Sequence, residues 1–432
     1  MYCKEQSMKS KYFKCLGVIL TGLVVLFTMT ACPSTPIQPE QPPAEVPVQP
    51  PPVGVPVPPP VQDDGGALAA LDAAAARAQA ARQLVMDFQG QYLLPSDWAE
   101  ASSLFDQAEQ QRSTGTAQEA RESTARYEAA ADAFEALAQG TIALYFENLA
   151  RQLADGRGVA LNAGAAELAP DFLLHADNAA DAANARYQAN DFRAARDTAL
   201  DALAMYDAIA AGIQALAIRE EIIDNGIEYL VPEFLWEADD VATDAMDRWD
   251  AGDYPGAQTG AVTALSMYAV LRTMLDAQLA WEGGIEEAVR ELTPEAVPQL
   301  DVTAMEAITN WEAGDFYGAL VSAELLLVRT LRAGAAAERQ RALNVRGNVA
   351  VRPEFDSAQA IYTRAASAYQ VQSLAEAANL FTECRPLFTV VARLAVERQI
   401  LAEEALRLAN ERMAESDETA RAAELILEGD VQ

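Results

Sequence analysis

The sequence predicts an all-α fold: an elongated array of about five antiparallel helical hairpins behind a disordered proline-rich tether. Three observations predict it. Pro170, Pro232 and Pro294 are each followed, 21 residues later, by an Asp and an aromatic: Asp191-Phe192, Asp253-Tyr254 and Asp315-Phe316. Weaker copies start at Pro95 and Pro353. Between these marks, alanines and aromatics recur at helical spacing, and ahead of them 13 prolines crowd into the 28 residues from Pro33 to Pro60. A recurrence at fixed period marks stacked units rather than one globular core.

The chain divides into residues 1–31, 32–66 and 67–432. Lys9, Lys11 and Lys14 precede an apolar stretch from Leu16 to Met29 that is short for a membrane span. Met29-Thr30-Ala31-Cys32 follows, with small residues before a Cys, and Met8 is an alternative start that gives a tighter segment. This resembles the signal and lipobox of bacterial lipoproteins. The resemblance implies cleavage between Ala31 and Cys32, and acylation of Cys32 that holds the chain on a membrane. Pro33 in place of a retaining Asp implies the outer membrane. The prolines favour polyproline II and pack no core, so 32–66 reads as a tether of roughly 90 Å when extended.

Residues 67–432 are the helical repeat, with units starting near 95, 170, 232, 294 and 353. Ala67 to Phe88 reads as a lone capping helix. In each unit Pro suits the first helical position. Asp171, Glu233, Glu295 and Glu354 then place acid at the positive end of the helix dipole. At offsets 6, 10, 13 and 17 stand Ala176, Ala180, Ala183 and Tyr187, then Ala238, Ala242, Ala245 and Trp249, then Leu300, Ala304, Ala307 and Trp311. These spacings share one helix face. The copy at Pro353 carries Ala358, Tyr362, Ala365 and Tyr369 one residue early and reads as shortened.

Thr116, Asp191, Asp253, Asp315 and Ser373 are residue types that cap a helix N-terminus, so a second helix starts at each. Thr116 with Glu119, and Ser373 with Glu376, fit capping boxes. The second helices repeat the seam, as in Ala195, Ala199, Ala202 and Tyr206, and run on to turns near Gly226, Gly284 and Gly347. Helical pattern after Phe388 continues toward Leu427 and is expected to cap the far end. The segments Tyr187 to Ala195, Trp249 to Ala257 and Trp311 to Ala319 resemble the hairpin turn of tetratricopeptide repeats. The full period, about 60 residues here, departs from that family's roughly 34. The proline-started hairpins also resemble those of some bacterial envelope lipoproteins. Both resemblances imply a scaffold and supply no catalytic residues.

Charge narrows the function. The chain has 31 basic against 64 acidic residues, a net charge of −33. Cleavage before Cys32 removes all four lysines and Glu5, leaving 27 arginines against 63 acids. Such a chain repels nucleic acid. Cys384 falls on a seam position and reads as a core residue, and one cysteine beyond Cys32 allows no internal disulfide. His175, the single histidine, falls at a polar, exposed position and builds neither a zinc site nor a Ser-His-Asp arrangement. Asp239-Asp240 and Glu220-Glu221 are sequence neighbours that diverge on a helix surface. Trp236 and Trp281 are candidate partner contacts, with packing against a neighbouring unit as the other role open to them.

No cofactor and no metal is expected. The leading expectation is a non-catalytic scaffold for an unidentified envelope protein. The alternatives are an accessory or solute-binding component of a transport system and a carboxylate-dependent hydrolase, whose two acids would face each other across a cleft.

Overall fold

The computed structural model describes residues 64–226 and 232–429. The leader, Ala31, Cys32 and the proline-rich tract lie outside the described residues. The fold is all-α, and no strand occurs among the described residues. A first helix, α1 (Asp64–Asp87), precedes five helix pairs. The pairs are α2 (Pro95–Gln110) with α3 (Ala117–Asn162), α4 (Pro170–Gln188) with α5 (Phe192–Asp224), and α6 (Pro232–Asp250) with α7 (Tyr254–Ala280). The last two are α8 (Val297–Glu312) with α9 (Phe316–Asn344), and α10 (Arg352–Gln370) with α11 (Leu374–Gly429). Each short helix packs on the longer one that follows it. The longer helices also pack on one another in succession, α3 on α5, α5 on α7, α7 on α9 and α9 on α11. Helix α1 lies against α3 in the same manner and has no short partner of its own.

The turns inside the last four pairs share one construction. A left-handed residue ends the short helix at Asn190, Gly252, Gly314 and Gln372. The next amide then donates back to the closing turn, as from Asp191 to Arg186 O at 3.0 Å and from Asp253 to Arg248 O at 2.9 Å. This is the Schellman closure, and it turns the chain in two or three residues. Between pairs the sequence left a feature unread. A one-turn or two-turn helix, at Gly90–Leu93, Ala165–Leu168, Glu286–Leu292 and Gly347–Ala350, leads into the next pair. It ends on a non-helical residue, with φ/ψ of −133°/65° at Leu94, −142°/50° at Ala169 and −144°/52° at Thr293. Each of these three precedes a proline, whose ring disfavours the helical region for the residue before it.

The same boundary corrects the last unit. The non-helical residue there is Val351, with the same φ/ψ of −134°/53° although no proline follows it directly, and the helix starts at Arg352, with Pro353 second. Counted from Arg352, Ala358, Tyr362, Ala365, Tyr369 and Ser373 regain offsets 6, 10, 13, 17 and 21. The unit is not shortened; its proline sits one place further in. In the fourth unit Pro294 opens a short 3₁₀ turn ahead of α8.

Alanine seams bring the helices close. Ala195, Ala199, Ala202, Ala257, Ala261 and Ala264 are all buried. At Gly260 an added Cβ would lie 2.8 Å from Ala245 Cβ, so α6 and α7 touch backbone to backbone there. In α11 the position held by Ala199 and Ala261 in other units carries Phe381, and Phe388 stands where they carry Tyr206 and Tyr268; both are fully buried. Each contributes about 1.5–3 kcal/mol of burial free energy. Helix α5 is apolar and long enough to cross a membrane by composition, yet half of its most apolar window is buried against the other helices, as in a core helix.

The far end differs from expectation. Burial along α11 stops at Ala395, and the side chains from Val396 to Glu424 are exposed. The helix does not cap the last pair; it runs past it, because α10 begins only at Arg352, just after Ala350, whose carbonyl Arg398 reaches, and no further described helix lies alongside.

Candidate functional site

The cap residues sit at helix N-termini but act differently. Thr116 Oγ accepts from Glu119 N–H at 3.2 Å, Asp253 from Gly256 N–H at 3.0 Å and Asp315 from Gly318 N–H at 2.9 Å. Asp191 occupies the cap position without a side-chain cap bond. Its backbone, φ/ψ −88°/68°, matches that of Asp253 and Asp315. In that geometry the carboxylate fills the space of a Cβ three residues on: at Gly256 an added Cβ would lie 2.0 Å from Asp253 Oδ2. Ala194 carries that Cβ, so Asp191 cannot cap. Neither expected capping box closes. Glu119 accepts from the Ser113 hydroxyl at 2.8 Å, and the Ser373 hydroxyl donates to the Glu376 carboxylate at 3.4 Å.

His175 is exposed, as expected, but it has a partner. Its Nε2 lies 2.8 Å from Tyr254 Oη of the next pair, and its ring packs on Trp249. One unit later Glu237, at the same offset, accepts from Trp311 Nε1 at 2.7 Å. Phe172 and Phe234 likewise stack on Trp249 and Trp311, with centroids 5.0 and 5.2 Å apart. These contacts join the short helices of successive pairs. Trp281 is half-buried against Ile285 and Val289, with the Arg290 guanidinium 6.0 Å from its ring centroid. Trp236 is 63% exposed. Cys384 is fully buried among Phe381, Phe388 and Ala365, and burial pushes its thiol up to about 12. Glu221 faces Arg272 at 3.2 Å, and no group of three His, Cys, Asp or Glu side chains placed to hold a metal ion occurs among the described residues.

The residues that sequence reasoning missed form a repeated clasp. Arg219 on α5 donates from Nε and Nη2 to the two oxygens of Asp239 on α6, at 2.7 and 2.8 Å. Tyr268 on α7 donates to the same carboxylate at 2.5 Å. One period earlier, Arg157 bonds Asp177 at 2.8 and 3.0 Å, and Tyr206 donates to Asp177 at 2.6 Å. Both tyrosines are 1% exposed. Burial works against the charge on Asp239, but the Arg219 and Tyr268 bonds outweigh it and hold the carboxyl below its ordinary range. Arg157 does the same for Asp177. Burial, then the adjacent carboxylate, push both tyrosines up.

Other junctions vary the theme. At the last, Arg339 bonds Gln359 Oε1 at 2.6 Å and lies over Tyr362. At the first, Arg82 lies over Phe105, 5.2 Å from the ring centroid. At the fourth, Trp281 and Thr330 replace the Arg and Tyr, Asp301 is left exposed, and the helix passes through a π turn, Trp281–Ile285, that breaks at Gly283 and Gly284.

Below the Arg219–Asp239–Tyr268 clasp lies a cavity of about 290 Å³ between pairs α4/α5 and α6/α7. Arg219 and Tyr268 of the clasp line it, as do Phe172 and Trp249. Ile209, Gly212, Ile213 and Met246 line the sides. Its only charged lining residue among the described residues, Arg219, already spends two nitrogens on Asp239. The arrangement provides apolar contact and offers no nucleophile, general base or metal ligand. No family model, curated protein or solved structure matches this chain.

Proposed function

We propose that the chain is an envelope lipoprotein, held at the bacterial outer membrane through acylated Cys32, whose helix pairs form a tetratricopeptide-like solenoid and serve as a non-catalytic adaptor for a protein partner. The observation that carries this reading is the seam of α11. Ala377, Phe381, Cys384, Phe388, Val391 and Ala395 are buried against α9 and α10. The same face then continues, exposed, through Ala402, Leu406, Ala409, Met413 and Ala420. Leu406 and Met413 are exposed large apolar side chains on that continuation. A seam that already packs helices inside the molecule is thus presented outside it, and it fits an amphipathic helix with small and apolar side chains. Glu403, Glu404, Glu411 and Glu415 flank it and favour basic residues on the edges of that helix.

The test compares capture by the full lipidated chain and by a chain stopped after Ala395, from crosslinked cells. A partner retained by the full chain and lost with the overhang, at unchanged thermal stability, supports the adaptor. Equal capture by both chains, or self-association through the overhang with no other protein, overturns it. Palmitate labelling that survives Cys32→Ser overturns the anchor. A second reading, an accessory or solute-binding component of a transport system, is favoured by the apolar cavity.

A further inference from the structure

Gly212 stands where the other units carry a side chain. Counted from the first residue of each unit, the position 42 residues on is Leu137, Gly212, Met274, Ala336 and Leu394. Leu137 is buried, and Met274 and Leu394 pack on their cores. Glycine within a helix is less favourable than alanine, because it has more backbone freedom to lose. Nothing in the backbone or packing calls for it here. Gly212 is not among the positive-φ residues, and a Cβ added to it meets no heavy atom within 4 Å. Gly260, on the facing helix, is the contrast, because its missing Cβ lets two helices touch. The missing side chain at 212 opens space instead, and that space is the cavity.

Its chemistry selects an occupant. The walls are apolar, and the Arg219 charge is matched by Asp239. A net charge of −33 disfavours anions around it. The size, about 290 Å³, falls at the lower end of small-molecule pockets, roughly 300–1,000 Å³. Leu216 and Met246 line the cavity and are half exposed, which marks them as its mouth.

We propose that the cavity beside Gly212 binds an uncharged hydrocarbon group, the chain or ring of a small apolar molecule, entering between Leu216 and Met246. This rests on the solute-binding reading and leaves the adaptor reading untouched, since the α11 seam takes no part in it.

The full chain is titrated with the neutral fluorophore N-phenyl-1-naphthylamine, followed by competition with 1-dodecanol and with dodecanoate. Saturable binding at one site, displaced by the alcohol and poorly by the carboxylate, is expected. Gly212→Leu fills the space and weakens binding by about tenfold or more, with a melting temperature equal to or above that of the parent. A parent chain that binds no probe, or a Gly212→Leu chain that folds and binds as the parent does, overturns the proposal. Displacement by dodecanoate as strong as by dodecanol overturns the uncharged assignment. Should Gly212→Leu fail to fold, quenching of tryptophan emission by 12-bromododecanol replaces it. Quenching is expected to drop in Trp249→Phe, and quenching unchanged by that substitution overturns the site. Partner capture through α11 proceeds in either case, so the two readings fail separately.

Discussion

Asp239→Ala tests the clasp, and Asp301→Ala supplies its control at the same place in the next unit. In the parent, Asp239 accepts from Arg219 and from Tyr268, whose hydroxyl is buried with the rest of the ring. The Arg219 side chain is 35% exposed, so it returns to water once unpaired. A partly screened pair of this kind is worth only about 0.2–1 kcal/mol. The larger loss comes from Tyr268, because a buried hydroxyl without an acceptor costs about 1–3 kcal/mol. The two together set the expected destabilisation at about 2–3 kcal/mol. Tyr268→Phe alone removes one hydrogen bond but leaves Asp239 on Arg219, and is expected to cost about 1 kcal/mol. In the double variant no hydroxyl is stranded, so the cost falls below the sum of the two singles. Asp301 is exposed, and its unit has Trp281 and Thr330 in place of the clasp's Arg and Tyr, so Asp301→Ala stays within about 0.5 kcal/mol. Urea unfolding with a common m-value gives all four numbers. An Asp301→Ala cost equal to that of Asp239→Ala, or strict additivity in the double variant, would refute the assignment of the energy to the clasp.

Acidification should act in two opposite stages. Burial holds Asp201, Asp207 and Asp276 above their ordinary pKa, so each favours the folded state more as pH falls from neutral toward the ordinary aspartate value of about 3.9. Asp177 and Asp239 lie below that value, and the stability they contribute above it is lost as pH drops through their folded pKa values. Thermal melts should therefore rise and then fall, and a monotonic decline from neutral pH would contradict the burial of the first three. Cys384, fully buried with its thiol pushed up to about 12, should resist a thiol reagent until the chain unfolds; labelling of the native protein at the rate of a free thiol would place it at the surface. Ala194→Gly should give Asp191 the space that Asp253 and Asp315 have, and raise stability by about 0.5 kcal/mol or less, after the glycine penalty, in the same urea assay; a loss of about 1 kcal/mol, the bare glycine penalty, would show that no cap forms.

Much of the fold was legible because its signals are local. Proline fixes a helix start, a capping residue fixes the next, and alanines at spacings of four and three mark a face. The clasp was legible in principle. Arg157 and Arg219, Asp177 and Asp239, and Tyr206 and Tyr268 are each 62 residues apart. The tyrosines read as the ends of a seam and the Arg and Asp as solvated surface, and only three-dimensional adjacency joins them. Failure of the Asp191 cap depends on one methyl group at Ala194, below the resolution of a residue-type rule. The cavity was illegible for a different reason: it is produced by an absent side chain at Gly212, and a periodic reading weights what recurs. The exposed end of α11 carries a good helical pattern, but whether a partner lies alongside is not a local property of the sequence.

The clasp draws its arginine from one pair and its aspartate and tyrosine from the next, so it belongs to the period and not to any single pair. An unequal crossover that adds or removes 62 residues between Arg157 and Tyr268 restores an Arg, an Asp and a Tyr to every junction, wherever it cuts. Along this stretch the gene is free to lengthen or shorten by whole periods without stranding a buried hydroxyl. At Trp281, where the arginine is gone and the helix breaks at two glycines, that freedom ends.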